Sequence, residues 1–433
     1  MTDVKIPRAK VYFPPAAWWA GLRALMAGRI QRGPESEVLR ARIASLAGRK
    51  HAFLTASGRQ GILVALQAMG AQPGDEVLMP AYTCRVILWS MLIPGFKPVL
   101  VDIERDTYNM DPREMERRIG PRTRFVLMTH MHGRPADVSA TLEVAARHGL
   151  KVIEDAADGI GGFWRDKPLG SLGDASIMSF SLYKNLNALD GGAVLCDDDD
   201  LARRLESALA ALAPTPPSTA TLLKRFVTAM ATSFLTHPLV FSFGGYWPIY
   251  WLDRLRLDVM QKLLVKLDDE ERHPPGRPRE LFEAFANFQA AVALPQLDRL
   301  AADNGARREN ARYLRELTRD LPIEPPAPLG PDDWDIFLNY VVRVPRGERE
   351  RVISECLRQG VDLYPGYVEC LSNLKPYPDL ATAAPHAEDL MARKVYLPVH
   401  PPLGPREMRR IAAALRRALP PPAANAAPQA TRS

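Results

Sequence analysis

Short apolar runs alternate with longer amphipathic stretches from about residue 50 to residue 200. "HAFLTAS" reads as a strand, and "RQGILVALQAMG" after it as a helix stopped by Gly70. "GDEVLMP", "KPVLVDI" and "RFVLMTH" are three further strands. "ATLEVAARHG" is a helix ended by Gly149, and "LKVIEDAA" a strand that ends in acids. "ASIMSFS" and "GAVLCDD" complete the set. Uninterrupted apolar strands separated by helices belong to a mainly parallel sheet covered on both faces, so the pattern predicts an α/β fold. In such sheets functional groups gather beyond the carboxyl ends of the strands. Asp155 stands at such an end, and Lys184 follows the strand "ASIMSFS" closely.

The pattern breaks at residues 213–278. "APTPPST" is linker-like, and Phe226–Leu252 then carries no Asp, Glu, Lys or Arg. Lys224 and Arg225 precede that run and Arg254 and Arg256 follow it. Its length would cross a bilayer, but Pro238, Gly244, Gly245 and Pro248 interrupt any single helix. Three readings stand for it: a buried arm or oligomer contact, an interfacial membrane attachment, or a true span. Helical pattern returns with "ELFEAFANFQAAVALPQLDRL" and "ARRENARYLRELTRDL". A smaller α/β unit then reads as "IFLNYVVRVP" (strand), "ERERVISECLRQG" (helix), "KVYLPVH" (strand) and "REMRRIAAALRRAL" (helix). We expect a large domain over residues 1–320 with the insertion inside it, a small domain over 321–420, and a disordered tail at 421–433.

Composition narrows the classes little. The 433 residues are 47% hydrophobic and 24% charged, which is ordinary for a globular chain. The net charge of +6 comes from mixed signs, with no concentrated basic stripe of the kind that binds nucleic acid. Cys84, Cys196, Cys356 and Cys370 form no C-x-x-C pair, and the first residues lack a signal peptide's apolar run. Reduced thiols and a cytoplasmic location are expected. His130 and His132 have no acidic or cysteine partner at metal-ligand spacing, so no metal is expected.

Lys184, in "SFSLYKNLNALDGG", carries the chemistry. A lysine amine near a low-dielectric strand end becomes a nucleophile able to bond carbonyl groups. Asp155 in "VIEDAAD" is the natural companion, because pyridoxal phosphate acts as an electron sink only when a carboxylate keeps a proton on its ring nitrogen. "TASGRQG" lies between a strand and a helix, where backbone N–H groups at a helix start can hold a phosphate. Gly58 permits close approach, Ser57 can donate and Arg59 adds charge; Ser179 and Ser181 lie just before the lysine.

Phosphate loop, carboxylate and lysine occur in that order. The chain here resembles the pyridoxal-phosphate sugar aminotransferases of the DegT/DnrJ/StrS group. The likeness runs over roughly residues 25–415 and is carried by "SGRQGILVALQAMGAQPGDEVLMPAYT", "KPVLVDIERDTYNMDPREMERRI", "HGRPAD", "VIEDAADGIGG", "LGSLGDASIMSFSLYKNL", "GGAVLCDD", "QAAVALPQLDRL" and "LPVHPPL". It implies the aspartate aminotransferase-like fold (fold type I, a mainly parallel seven-stranded sheet) and a homodimer. It further implies that Lys184 bonds the cofactor and moves the proton of the transfer, that Asp155 holds the ring nitrogen, and that Gly58, Arg59 and Ser179 hold the phosphate. The substrates implied are an amino donor such as glutamate and a keto sugar, nucleotide-linked, used in making cell-surface polysaccharide or related products. Four departures stand out. Cys84 occupies the place of the family's stacking aromatic residue, leaving Tyr82 as the candidate. Asp158 replaces a glutamine near the cofactor's ring oxygen, and Arg59 replaces a threonine. The Asn-Tyr-Arg segment that reaches the partner's cofactor is not recognisable, and the apolar insertion stands in its region. The insertion suggests an unusual acceptor, lipid-linked or used near a membrane. Two other functions compete: a sugar dehydratase, whose family members carry histidine where Lys184 stands, and a non-catalytic regulatory or assembly protein on the same fold.

Overall fold

The computed structural model describes residues 4–11, 13–255, 279–330, 332–374, 380 and 382–419. Residues 256–278 of the insertion and the expected tail at 421–433 lie outside the described residues. Seven strands form the main sheet: β1 (His51–Thr55), β2 (Glu76–Pro80), β3 (Lys97–Val101), β4 (Thr123–Thr129), β5 (Lys151–Asp155), β6 (Ala175–Ser179) and β7 (Gly192–Cys196). Their spatial order is β1-β7-β6-β5-β4-β2-β3. Every neighbouring pair is parallel except those made by β7, which runs antiparallel to both β1 and β6. All seven predicted strands are present. The direction of β7 fits its connection: the loop from Phe180 to Gly191 that joins it to β6 carries no helix to make a parallel crossover.

Helices cover both faces, so nearly every side chain of β7 and β5 is buried. One apolar layer holds Ile62, Leu66, Val77, Leu127, Ile177 and Val194; the other holds Leu39, Ile43, Val126, Val152, Met178 and Leu195. Adjacent strand residues go to opposite layers, as the pleat requires. A second, two-stranded antiparallel sheet pairs β8 (Tyr340–Arg343) with β9 (Lys394–Leu397). Its core draws Ile6 from the start of the chain together with Leu314, Val352, Met408, Ile411 and Leu415.

The helices used below are α1 (Pro15–Met26), α2 (Glu35–Ala47), α3 (Gly58–Ala68), α4 (Val138–His148), α5 (Thr219–Leu235), α6 (Tyr246–Arg254), α7 (Asn287–Leu297), α8 (Leu300–Leu317) and α9 (Pro405–Ala418). The stretch "ELFEAFANFQAAVALPQLDRL" is not one helix. A turn at Arg279–Phe282 precedes α7, whose start is set where the Gln289 side chain accepts from the Ala286 N–H at 3.0 Å.

Within the insertion, α5 starts on a Ser218 cap that accepts from Thr221 N at 3.1 Å. It packs Phe226 against Phe13 and Phe288 and against Gly21 of α1, where an added Cβ would come within 2.7 Å of the Phe226 ring. The chain then bends, by 68° between α5 and the Pro238–Arg254 segment. α6 docks on the small unit through the Tyr246 hydroxyl, which donates to Leu357 O at 2.5 Å. Among the described residues no single helix is long and apolar enough to cross a membrane, though this bent pair passes that test together.

Candidate active site

β5 and the loop after β6 bring the predicted lysine and acids together. The loop is pinned at its base, where Phe180 N donates to Gly191 O at 2.8 Å and Ala188 N donates to Phe180 O at 2.9 Å. Lys184 turns inward from that loop and its ammonium pairs with Asp158. Both side chains are largely buried, at 15% and 10% exposure. Burial works against the Lys184 charge, yet the Asp158 carboxylate outweighs it, with smaller help from the Tyr367 and Cys84 surroundings. The lysine is held above its ordinary range. Asp158 also accepts from the His132 backbone N–H at 3.3 Å.

Asp155 is the last residue of β5 and faces the same side as this pair. It accepts from Ala157 N at 3.1 Å and from the Thr129 hydroxyl at 3.4 Å. Its neighbour Glu154 points to the other layer, where His130, Gly170 N and Leu172 N satisfy it at 3.0, 2.6 and 2.6 Å. The alternation of the strand thus sorts a structural acid from a site acid. Burial pushes the Asp155 carboxyl up to about 6, and the nearby Asp158 charge adds to the shift.

The start of α3 forms the third side. Ser57 caps it, accepting from Gln60 N at 3.1 Å. Gly58 lies so close to β6 that an added Cβ would meet the Ser179 Cβ at 3.3 Å. The Arg59 guanidinium stacks near Trp89 at 5.5 Å, and its buried Nη1 has no hydrogen-bond partner. Cys84 is half-buried here. Burial raises its thiol, and the charges of Lys184 and Arg59 work against that rise.

Tyr82 is fully buried. Its hydroxyl lies 3.1 Å from His132 Nε2 and 3.3 Å from the Tyr396 hydroxyl, and its ring stands edge-on to the His132 ring at 5.7 Å. Three groups of this site have no signal in the local sequence. His132 sits in the left-handed region at φ 62°, its Nδ1 is buried without a partner, and burial pushes its imidazole down to about 3, so it is neutral at pH 7. Gly133 follows at φ 89°, where an added Cβ would lie 2.4 Å from Ile336. Tyr367 and Tyr396 arrive from the small unit, more than 180 residues along the chain from Lys184. Among the described residues no group of three His, Cys, Asp or Glu is placed to hold a metal.

These residues fit pyridoxal phosphate. A buried carboxylate raised to about 6 lacks a cation of its own, which a protonated ring nitrogen would supply. The close approach at Gly58 and the orphaned Arg59 Nη1 stand at the start of an 11-residue helix, suited to a phosphate. Lys184 supplies the amine.

The acid's shift makes a prediction. An acid whose folded value lies above its unfolded one gives stability that is full below about pH 4 and lost as pH rises through about 6. Above that, ionised Asp155 costs the cofactor-free fold on the order of 3 kcal/mol at most. Asp155→Asn therefore raises the thermal midpoint of the cofactor-free chain at pH 8 while weakening its hold on pyridoxal phosphate. Calorimetry and cofactor titration check the two halves; a lowered midpoint would show that the carboxylate is satisfied without the cofactor.

The profile of the DegT/DnrJ/EryC1/StrS aminotransferase family matches residues 20–211 and 284–416, leaving out the apolar insertion between them. A protein of Geobacillus stearothermophilus named "Pleiotropic regulatory protein" is 40% identical over 181 residues, which is 42% of this chain and 49% of that protein, so the match spans about half the relative's length. The crystal structure of DesI in the presence of its TDP-sugar product is 27% identical, with a TM-score of 0.71 over 96% of this chain and 93% of that one. A Streptococcus pneumoniae protein solved in PMP and PLP forms is 19% and 18% identical, with TM-scores of 0.76 and 0.72, over 96% of this chain and 97% and 100% of those chains. That last likeness shows the fold. With the lysine, acid and helix start in place, the chain belongs to the DegT/DnrJ/EryC1/StrS aminotransferase family of pyridoxal-phosphate-dependent enzymes.

Proposed function

We propose that the protein moves an amino group from glutamate to the carbonyl of a nucleotide-linked keto sugar. The observation that carries this reading is Lys184, buried and held by Asp158, opposite Asp155 at the end of β5. Pyridoxal phosphate, when bound, would supply the electron sink for the pair left on carbon when its proton is removed. The chain's own residues do the rest. Asp158 would take the ammonium proton from Lys184, and the freed Nζ would then remove the proton from one of the two carbons that exchange the amine and return it to the other. Asp155 presents a carboxylate to the ring nitrogen, and the start of α3 with Arg59 and Ser179 receives the phosphate. Neutral His132 holds the loop that carries the N–H to Asp158.

Support for the sugar comes from the family and from DesI, whose structure holds a TDP-sugar product. We take the working form to be a homodimer, as family resemblance implies. We place it in the cytoplasm, in keeping with four unpaired cysteines, and at the inner face of a membrane, which the exposed apolar side of the insertion supports. The test is a half-reaction. Loaded enzyme mixed with glutamate alone should release one 2-oxoglutarate per site and stop, then resume when a keto-sugar nucleotide is added. No release by the loaded wild type would favour the second reading, a regulatory protein, for which the 40%-identical relative's name is the specific support. The dehydratase reading is disfavoured by Lys184 itself.

A further inference from the structure

A cleft of about 440 Å³ lies between the loop after β4, one face of α8 and the segment that leads into β8. That volume is in the range of small-molecule sites. Arg308, Arg312 and Arg315 line it from α8 at positions i, i+4 and i+7, so all three guanidinium groups share one side of the helix. Arg134 enters from the opposite wall. Like charges at this spacing repel, and the local acids only partly compensate. Asp335 lies 3.6 Å from Arg134 Nη1 and accepts from Phe337 N at 2.7 Å, while Asp333 accepts from Arg165 N at 2.8 Å. Four cations thus face two carboxylates. Arg308 stacks on the Trp334 ring at 3.8 Å, which fixes its plane without neutralising it.

Two further atoms point to a missing ligand. Arg134 is 4% exposed and Tyr340 is 1% exposed, and both line the cleft. Arg134 Nη2 donates to Ala327 O at 2.7 Å, but its Nε has no partner, and neither has the Tyr340 hydroxyl. Buried donors without partners are rare and costly, and two at one arginine-lined cleft share an explanation.

We propose that this cleft is a binding site for a phosphate-bearing small molecule, held by Arg308 and Arg312 and by the unpartnered donors of Arg134 and Tyr340. Planar guanidinium groups suit phosphate oxygens, and the remaining volume admits a sugar-sized body. The site is separate from the phosphate place at the start of α3. It is joined to the catalytic lysine through the loop, in which Arg134 stands two residues after His132, the donor to Asp158, and through α8, whose Asn304 side chain accepts from Asn185 at 3.1 Å.

Equilibrium dialysis and calorimetry on the full chain loaded with pyridoxal phosphate test this, because the cofactor's own phosphate place is then filled. Inorganic phosphate and a hexose phosphate are the probes. The wild type should bind saturably below about 10 mM. The double variant Arg308→Ala/Arg312→Ala should lose binding by roughly tenfold or more, with an unchanged circular dichroism spectrum. Tyr340→Phe is the sharper variant. A merely structural hydroxyl without a partner predicts equal or better stability and no change in binding, whereas the site predicts weaker binding in an intact fold. Tighter binding of the hexose phosphate would assign an organic ligand, and equal binding the phosphate group alone; both support the site. No saturable binding, or equal binding by wild type and double variant, overturns it.

Discussion

Lys184→Ala should abolish amino transfer, by about 10⁴-fold or more, because Lys184 is the amine that the loop after β6 turns in beside Asp158 to bond the cofactor and carry the proton. The visible band that pyridoxal phosphate acquires from a lysine amine should vanish with it. The substitution has a second effect that could be mistaken for the first. It strips Asp158 of its cation, and breaking one side of a buried pair typically costs about 3–5 kcal/mol, less here because both groups keep some exposure. A destabilised, cofactor-poor protein would also be inactive. The double variant Lys184→Ala/Asp158→Asn separates the causes. It removes the stranded charge, so its thermal midpoint should recover toward the wild type while turnover stays lost. Recovery of turnover with stability would mean that the lysine is a structural counter-ion and that another group carries the transfer. Asp158→Asn alone should leave a working enzyme whose lysine loses its proton at lower pH, since the largest influence raising it has gone. The acid limb of its pH–rate profile should move down accordingly.

The strands were legible because two-sided burial writes itself as unbroken apolar runs such as "RFVLMT" and "GAVLC". The direction of β7 was not, since an apolar run has no arrow; the helix-free loop before it supplies one. Lys184 and Asp155 were legible as chemistry because Asp155 ends a buried run and Lys184 closely follows one, where a charge is costly. Their actual partners were less so. Asp158 carries the lysine's proton balance from a turn rather than a strand end, and its sequence neighbourhood gives no hint that Lys184 reaches it. His132, Tyr367 and Tyr396 converge from separate segments, so only the folded chain shows that Tyr82 spends its hydroxyl between two of them. The insertion was legible as apolar and interrupted. That it turns much of that surface outward could not be read from composition.

The outward surface should hold the protein to anionic lipid. α5 leaves Val227, Phe234 and Leu235 exposed at 60%, 60% and 56%. The bend and α6 add Leu239, Phe243, Trp247 and Trp251, with Phe243 80% exposed. α1, packed beside α5, leaves Trp19, Leu22 and Met26 at helical spacing on its outer side. No Asp or Glu occurs from Thr219 to Leu252, while Arg23, Lys224 and Arg254 are exposed around these stripes. Apolar faces rimmed by cations suit the headgroup boundary of an anionic bilayer, each cation adding about 1 kcal/mol near the surface. The full chain should therefore sediment with vesicles containing phosphatidylglycerol and much less with phosphatidylcholine alone. Each large side chain buried in lipid is worth about 2 kcal/mol, so Phe243→Ser/Trp247→Ser/Trp251→Ser should weaken vesicle binding at least a hundredfold, roughly. Turnover on a soluble acceptor should not change, because these residues lie outside the group that holds Lys184. A second copy of the chain is the competing occupant of this face. If the wild type ignores vesicles and the triple variant instead lowers the mass measured by light scattering, the stripes are a subunit contact and the membrane reading fails.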